Sequence, residues 1–582
     1  MKRIIILSII IFHTSCQNTK NSITYDFTTR FEKSSGKETA TYQETIQFYT
    51  DLADAYVSVS TYTIGKTDSG EPLHLVTFNP NRTLESEFGK DRDKRIILVN
   101  NGIHPGESDG IDASMMLMRD LAQEKLPTPQ NSIIAVIPIY NIGGALNRNS
   151  TTRTNQNGPV SYGFRGNARN YDLNRDFIKA DTKNAQSFAK VFHYVKPDIF
   201  IDNHVSNGAD YQYVLTHLFT QHNKLGGELG NYLHTQLMPQ LEQSLEAKDW
   251  PITPYVNVFN TTPERGFTQF MDHPRYSTGY TTLWNTLGMM VETHMLKPYK
   301  DRVDGTYELM KSMIEIVEKD HDTIKKLRDD ADTFYRQAET YPLDFKADTT
   351  QNSTLHFKGY EAEKITSPVT GRDRLKYDRS RPFEKEVLYA NTFTAEDDVA
   401  IPKAYLVPKS WFRVVDRLQQ NKIKMSLIEK DSTITVEEYR IAEYKTRTTA
   451  YEGHYNHYNT AITSTQEAKS ITAGQYYYIA TDQPGIRYLL ETLEPTAVDS
   501  FFNWNFFDTI LQQKEGFSPY VFEDIAADFL AKNPSVKKEF DDKKRRESDF
   551  ANNWYAQLDW IHKKSPHYEA AHLTYPVLRV LR

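Results

Sequence analysis

The sequence predicts an α/β fold with a mainly parallel, mixed sheet flanked by helices, followed by a second α+β domain. Apolar runs of strand length alternate with segments of helical spacing through the first 340 residues, which is typical of sheets covered on both faces. Polar residues follow several of these runs, where open α/β sheets keep their functional sites. The length of 582 residues allows two or more domains.

The elements of the first domain follow from hydrophobic periodicity. We predict strands at 56–64, 72–78, 96–99, 132–139, 198–204 and 287–294, and helices at 39–56, from 111 onward, at 182–195 and at 301–335. A long polar segment, 141–175, separates two of these elements and has the length of a functional loop.

The composition excludes some classes of protein. The chain is 39% hydrophobic and 25% charged, with a formal net charge of −7. Because this mild acidity offers no basic surface for phosphates, we expect no nucleic-acid partner. The single cysteine, Cys16, leaves no internal disulfide, so stability must come from the core.

Residues 1–16 resemble a bacterial lipoprotein signal peptide. Two basic residues precede an apolar run from Ile4 to Phe12, which is too short to span a bilayer. A small residue then precedes Cys16, the lipidation site that the resemblance implies, although His13 departs from the usual aliphatic residue. The alternative is an ordinary secretory signal. We expect an exported protein with a lipid anchor in the membrane, a periplasmic or outer-membrane lipoprotein of a bacterium.

The turn after the strand at 96–99 carries His104 and Glu107, three residues apart. An imidazole and a carboxylate aimed at one point are two of the three protein ligands of a catalytic zinc site. The pair alone is a weak signal, because a chain with 17 histidines and 76 acidic residues contains such pairs by chance. A third ligand, a base and a substrate anchor must therefore follow.

Candidates for these three parts occur later in the chain. His204 ends an apolar strand and can supply the third ligand. Glu292 lies near the end of another apolar strand, where burial would raise its pKa toward that of a water-activating base. Asn174 and Arg175 are adjacent in the polar segment, and a carboxamide beside a guanidinium suits the capture of a carboxylate.

Taken in order, these motifs resemble the zinc carboxypeptidase family related to carboxypeptidase A, over roughly residues 40–335. The matching residues are His104-x-x-Glu107, Arg165, Asp172-x-Asn174-Arg175, His204 and Glu292. The resemblance implies that His104, Glu107 and His204 bind one Zn²⁺ per chain, since the family uses a His, His, Glu ligand set.

The resemblance also implies roles for the other residues. Asp172 would orient a ligand imidazole, and Asn174 and Arg175 would bind the substrate's terminal carboxylate. Arg165 would stabilise the oxyanion, and Glu292 would move a proton from water to the leaving amine. We expect a zinc metallocarboxypeptidase, a hydrolase whose partner is a peptide with a free C-terminal carboxylate.

The sequence alone leaves three points open: the capping tyrosine, the pocket for the terminal side chain and the choice among related functions. The family's substrate-capping tyrosine could be Tyr276 or Tyr280, and the pocket for the terminal side chain is expected within 250–285. Two other functions are possible: a zinc amidase acting on peptidoglycan stem peptides or acylated amino acids, and a non-catalytic lipoprotein that binds peptides or glycans.

We predict four segments: a lipoprotein-type signal peptide at 1–16, a catalytic domain at 17–340, a linker-like segment at 345–385 and an α+β accessory domain at 386–582. The linker is predicted from polar, turn-rich composition. In the last segment we predict strands at 403–407, 433–439 and 475–480, helices at 410–420, 521–533 and 538–562, and a buried aromatic cluster at 501–507.

Overall fold

The structure, a computed structural model, describes residues 25–80, 88 and 93–582. The predicted signal peptide and its lipidation site, Cys16, lie outside the described residues. Among the helices of the described chain, none has both the length and the apolarity needed to cross a bilayer.

An eight-stranded mixed sheet organises the N-terminal half, residues 25–337. The strands of this half are β1 (Val59–Lys66), β2 (Pro72–Phe78), β3 (Arg95–Asn100), β4 (Ser132–Ile137), β5 (Ile199–Ser206), β6 (Leu215–Phe219), β7 (Ile252–Pro254), β8 (Phe267–Thr268) and β9 (Leu287–His294). The sheet runs in the order β1-β2-β4-β3-β5-β9-β6-β7. Its centre, β4-β3-β5-β9, is parallel, and both flanks contain antiparallel pairs.

Helices cover both faces of this sheet. They are α1 (Arg30–Lys33), α2 (Tyr42–Ala55), α3 (Asp109–Ala122), α4 (Ile142–Leu146), α5 (Lys183–Val195), α6 (His222–Leu225), α7 (Gly227–Tyr232), α8 (Met238–Glu246), α9 (Ser277–Thr282) and α10 (Tyr299–Gln337). Every residue of β3, β4 and β5 is buried, which explains the apolar runs 96–99, 133–137 and 199–201 within them. The predicted fold class is confirmed.

The C-terminal half, residues 340–582, is rich in sheet and ends in a group of helices. Its strands are β10 (Thr340–Ala347), β11 (Ser353–Thr366), β12 (Asp373–Ala390), β13 (Phe393–Ala400), β14 (Ala404–Pro408), β15 (Ser426–Leu427), β16 (Ser432–Thr446), β17 (His457–Ile471), β18 (Tyr476–Ala480) and β19 (Leu578–Val580). Its helices are α11 (Phe412–Gln420), α12 (Ile486–Leu493), α13 (Pro519–Lys532), α14 (Pro534–Arg546), α15 (Ser548–Ala551) and α16 (Trp554–Lys564).

The prediction of a linker-like segment at 345–385 is wrong. Most of this segment forms β11 and β12, a long antiparallel hairpin, and β12 continues into a parallel pairing with β8 of the N-terminal half. The strands carry many exposed charged residues at their outer ends, so their polar composition resembled that of a linker. The single helix predicted at 538–562 is also wrong, because it is divided among α14, α15 and α16.

The two halves share a hydrophobic core. One buried cluster runs from Leu73 and Ile96 in the main sheet to Phe501 and Tyr575 in the C-terminal half. Arg487 of α12 is 1% exposed and donates hydrogen bonds to backbone carbonyls of α6 and α9 in the N-terminal half. The C-terminal half is therefore part of the packing that holds the main sheet.

Candidate active site

His104 and Glu107 lie in the loop between β3 and α3, at the carboxyl end of the central strands. The Glu107 amide donates to the His104 carbonyl (2.7 Å), which forms a tight turn. Gly106 lies between them because a Cβ there would be 2.2 Å from the Arg153 side chain. The side chain of Asn141 ties this loop to the 141–175 segment by donating to the Ile103 and Arg165 carbonyls.

His204, on β5, completes a group of three candidate metal ligands. One ligand atom each from His104, Glu107 and His204 lies within 4.8 Å of the others. The Nδ1 atoms of His104 and His204 lie 3.2 and 3.0 Å from the two Glu107 oxygens. Within the described ranges, this is the group whose side chains could together hold a metal ion.

The donor set and its environment fit a zinc ion. His104 Nδ1 is buried and has no hydrogen-bond partner among the described residues. Its lone pair is therefore available to a metal ion. Each Nε2 is held by a carboxylate, His104 by Asp172 (2.9 Å) and His204 by Asp202 (2.9 Å). Such carboxylate–imidazole pairs direct the opposite ring nitrogen to the metal, and two imidazoles with one carboxylate form a catalytic zinc set.

Buried negative charge makes the centre attractive to a cation. Burial alone would lower the pKa of His204, but the Asp202 and Glu107 carboxylates raise it well above its usual value. Burial would likewise raise the pKa of Glu107, yet His104 and Arg153 hold it well below its usual value. The site thus favours positive charge where the two imidazoles converge.

Asp172 joins the candidate metal ligand His104 to Arg165. Its Oδ1 accepts from His104 Nε2, and its Oδ2 accepts from Arg165 Nε (3.0 Å) and Nη2 (2.8 Å). Burial would raise the pKa of Asp172, but His104 and Arg165 keep it below its usual range. The remaining Arg165 nitrogen, Nη1, lies 3.6 Å from Glu107, so the guanidinium reaches from Asp172 to the candidate metal ligands.

Asn174 and Arg175 belong to a short 3₁₀ turn, residues 173–175, that Asp172 caps. The Asn174 amide donates to Asp172 Oδ1 (2.9 Å), which fixes the turn to the same carboxylate that holds His104. The side-chain oxygen of Asn174 accepts from the Ser277 amide (3.2 Å), so its NH₂ group remains available. The Arg175 guanidinium lies over the Tyr276 ring, 4.6 Å from the centroid.

Glu292 lies on β9, directly beside His204. The parallel register of β5 and β9 pairs the Cα atoms of these two residues. Burial raises the pKa of the Glu292 carboxyl to about 7, and the neighbouring Glu107 and Asp202 charges also raise it, while His204 and Arg165 oppose them. A carboxyl group with this pKa can accept and return a proton near neutral pH.

One cleft of about 420 Å³ brings the predicted residues together. Its lining includes His104, Glu107, Arg165, Asn174, Arg175, His204, Tyr276 and Glu292. The predicted stretch 250–285 also contributes Tyr255, Asn257, Phe259 and Phe270 to the wall. The roles inferred from the resemblance stay predictions, but the residues that carry them share one surface.

The two tyrosines left open by the sequence differ in position. Tyr280 is 1% exposed, and its hydroxyl donates to Asn421 (2.5 Å) in the C-terminal half, so it is a core residue. Tyr276 lines the cleft, stacked on Arg175. Of the two candidates, Tyr276 is therefore the one that a substrate could meet.

Three residues that contact the candidate ligands or their partners were not predicted from the sequence. Asp202 holds His204 and accepts a 2.5 Å hydrogen bond from the Ser277 hydroxyl. Arg153 Nη2 contacts Glu107 (2.8 Å). The i, i+2 spacing of Asp202 and His204 was a usable signal, because residues two apart share a face of a strand, whereas nothing local marks Arg153 or Ser277.

Comparison with protein families matches residues 45–203 to the family described as zinc carboxypeptidase. The matched segment contains His104 and Glu107 and ends one residue before His204. A search of curated protein sequences finds no match to this chain.

Solved structures to which this chain shows similarity include a metallo-carboxypeptidase from Burkholderia cenocepacia (15% identity, 48% of this chain and 69% of that chain, TM-score 0.36). A second is the Pseudomonas aeruginosa metallo-carboxypeptidase in complex with (2-guanidinoethylmercapto)succinic acid (14% identity, 49% and 69%, TM-score 0.36). A third is carboxypeptidase A from Helicoverpa armigera (13% identity, 48% and 74%, TM-score 0.37).

The overall similarity to these solved structures is too low to carry an argument about this chain. The similarity of this chain to zinc carboxypeptidases therefore rests on the matched segment, 45–203, and on the His104, Glu107 and His204 group.

Proposed function

We propose that this protein uses zinc and a glutamate general base to remove C-terminal residues from peptides. One observation carries the proposal. A three-ligand metal centre, an adjacent amide and guanidinium, and a carboxyl group with a raised pKa line the same cleft. These are the parts needed to hold a terminal carboxylate and to activate water beside the scissile bond.

In this proposal, His104, Glu107 and His204 hold the zinc ion, and Asp172 and Asp202 keep the two imidazoles oriented through their Nε2 atoms. Bound zinc supplies a Lewis acid that lowers the pKa of water and polarises a carbonyl group. The ionised Glu292 carboxylate accepts a proton from the attacking water and then donates it to the departing amine.

The cleft supports an exopeptidase over an endopeptidase. Asn174 and Arg175 bind the terminal carboxylate through a free NH₂ group and a guanidinium. Arg165 Nη1, which points away from the Asp172 bonds, stabilises the negative charge that develops on the scissile carbonyl oxygen. The apolar side chains of Leu218, Phe270 and Met290 in the wall favour an apolar terminal residue.

The test is mass spectrometry of a mixed peptide pool incubated with residues 17–582 and zinc, beside a chelated sample. We expect stepwise loss of C-terminal residues only in the zinc sample, with apolar residues removed first. A pool that stays intact would contradict the peptidase proposal. Peptidoglycan fragments assayed in parallel would then report the amidase alternative.

We also propose that the protein is exported and held at a membrane by lipid on Cys16. The basic, apolar and small-residue pattern of 1–16 supports this. Labelling of growing bacteria with a fatty acid should mark the unaltered protein but not Cys16→Ser. Equal labelling of both would contradict the anchor.

A further inference from the structure

The turn that joins β16 to β17 contains a glutamate, Glu452, in an unfavourable backbone conformation. Tyr451 and His454 pair across the turn through two backbone hydrogen bonds of 2.8 and 3.0 Å. The two residues between them, Glu452 and Gly453, have φ values of 47° and 79°. Turns of this type favour Asn-Gly, since the first position strains most side chains. A glutamate in this conformation suggests a role outside the turn.

Glu452 reaches across to the active site. Its Oε2 accepts a hydrogen bond from the Asp172 backbone amide (2.8 Å), although the two residues are 280 positions apart in the sequence. The Asp172 carboxylate in turn holds His104 and Arg165 and caps the turn that bears Asn174. Glu452 therefore fixes the backbone from which these contacts are made.

The rest of the turn is fastened to the same wall of the cleft. His454 Nε2 lies 2.6 Å from Asp181 Oδ2, at the far end of the loop that begins at Asp172. Gly453 lies against Tyr171, and a Cβ on it would meet the Tyr171 hydroxyl at 2.7 Å. These contacts leave the Glu452 carboxylate little freedom to move away from the Asp172 amide.

We propose that Glu452, supplied by the C-terminal half, is a positioning residue for the metal centre. It acts through Asp172, which it keeps aligned with His104 Nε2, and it touches neither metal nor substrate. The inference deepens the proposed function and rests on it for the activity readout. It also gives the C-terminal half a part in the chemistry of the N-terminal half.

The test compares Glu452→Gly, Glu452→Ala and Glu452→Gln in the full-length protein. Glycine suits the positive φ, so relief of backbone strain should offset part of the lost hydrogen bond, and Glu452→Gly should fold with an unfolding midpoint close to that of the unaltered protein. We expect about tenfold weaker zinc affinity, measured by competition with a chelator, and a lower kcat in the Gly and Ala variants, because partners of ligand imidazoles contribute at this scale. The Gln variant keeps an acceptor oxygen and should restore both values.

Glu569→Ala is the matched control. Glu569 also accepts backbone amides, those of Lys514 and Glu515, and none of these three residues lines the cleft described above. Its loss should leave zinc affinity unchanged. Unaltered zinc affinity in Glu452→Gly, or equal losses in the Gln and Ala variants, would overturn the inference. If the unaltered protein cleaves no peptide while the affinities follow the expected order, the proposed function fails and the positioning role stands.

Discussion

Glu292 differs from Glu107 and Asp172 in having a raised pKa. Glu107 and Asp172 lie against positive partners, which hold their pKa values low. Burial dominates at Glu292 and brings its pKa to about 7. Carboxyl groups of one site are thereby suited to the different tasks proposed above, metal binding and imidazole orientation in one case and proton transfer in the other.

The first prediction separates these tasks. Glu292→Gln should bind zinc normally, because Glu292 is not in the ligand group, and should lose about 10²–10⁴-fold in kcat, since general-base catalysis contributes that much. His204→Ala should instead lose the metal. Zinc content by atomic absorption and peptide turnover distinguish the two. Full activity in Glu292→Gln would refute the assigned base.

The second prediction concerns the terminal carboxylate. Arg175→Ala should lower kcat/KM about 10–100-fold on peptides with a free C-terminus, because a hydrogen bond to a charged group is lost, and much less on C-terminally amidated peptides. Arg169→Ala, in the same segment but outside the cleft lining, is the control and should change neither. Equal losses on both substrates would remove the case for an exopeptidase.

At the scale of elements, the hairpin of β11 and β12 supports one wall of the cleft. Phe357 on β11 packs with Tyr211, Val256 and Val258 in a separate buried cluster. Val256 and Val258 alternate with Tyr255 and Asn257, which face the cleft. The hairpin thus packs behind the segment 255–258, whose other face lines the cleft.

The third prediction tests this support. Phe357 is fully buried, so Phe357→Ala should lower the free energy of unfolding by about 3–5 kcal/mol. Leu388→Ala, on the partner strand but 59% exposed, should change it by no more than about 0.5 kcal/mol. Chemical denaturation measures both. Similar values for the two variants would show that the hairpin does not support the wall through Phe357.

The elements that hold the site could be predicted from sequence, whereas those that enclose it could not. β2 and β9 occupy the predicted ranges 72–78 and 287–294, because apolar runs with clear ends carry a local signal. The buried aromatic cluster at 501–507 is also confirmed, with Phe501, Phe502 and Phe507 inaccessible.

The parts that sequence missed depend on contacts between distant residues. The sequence around Glu452 contains no motif that predicts its hydrogen bond with the Asp172 amide. The β11–β12 hairpin is stabilised by packing on Tyr211 and Tyr213, while its own charged composition resembles that of a loop. Such contacts form only when the chain has folded, and hydrophobic periodicity reports only on local structure, so it cannot predict them.

Over the whole molecule, the two halves meet through polar groups as well as through the shared core. His193 of α5 lies beside Asn421 of the C-terminal half, with Nε2 3.2 Å from the amide oxygen, and the Tyr280 hydroxyl reaches the same oxygen. Burial lowers the pKa of His193 to about 4. The neutral imidazole is therefore the form that fits the junction.

The fourth prediction follows from proton linkage. Between pH 6.5 and 4 the unfolded chain binds a proton at His193 that the folded protein does not, so stability is full above pH 6.5 and falls as the pH drops. The loss from this group at pH 4.5 is about 2–3 kcal/mol. His193→Gln should show a correspondingly smaller difference between urea denaturation at pH 7 and at pH 4.5.

His356→Gln, whose parent side chain is 66% exposed, is the control and should retain the pH dependence of the unaltered protein. An unchanged pH dependence in His193→Gln would mean that this histidine is not a source of acid instability.

The pairing of His204 with Glu292 across β5 and β9 sets the spacing between the proposed ligand and the proposed base by main-chain geometry. A one-residue slip would turn Glu292 to the opposite face of the sheet, so no gradual shift of the strand can adjust that spacing. The remaining way to tune it is side-chain length, with aspartate shorter by one methylene. Substitutions in the cleft walls could therefore accumulate gradually during evolution, whereas the distance that the carboxyl group at position 292 reaches could change only by replacement of the whole side chain.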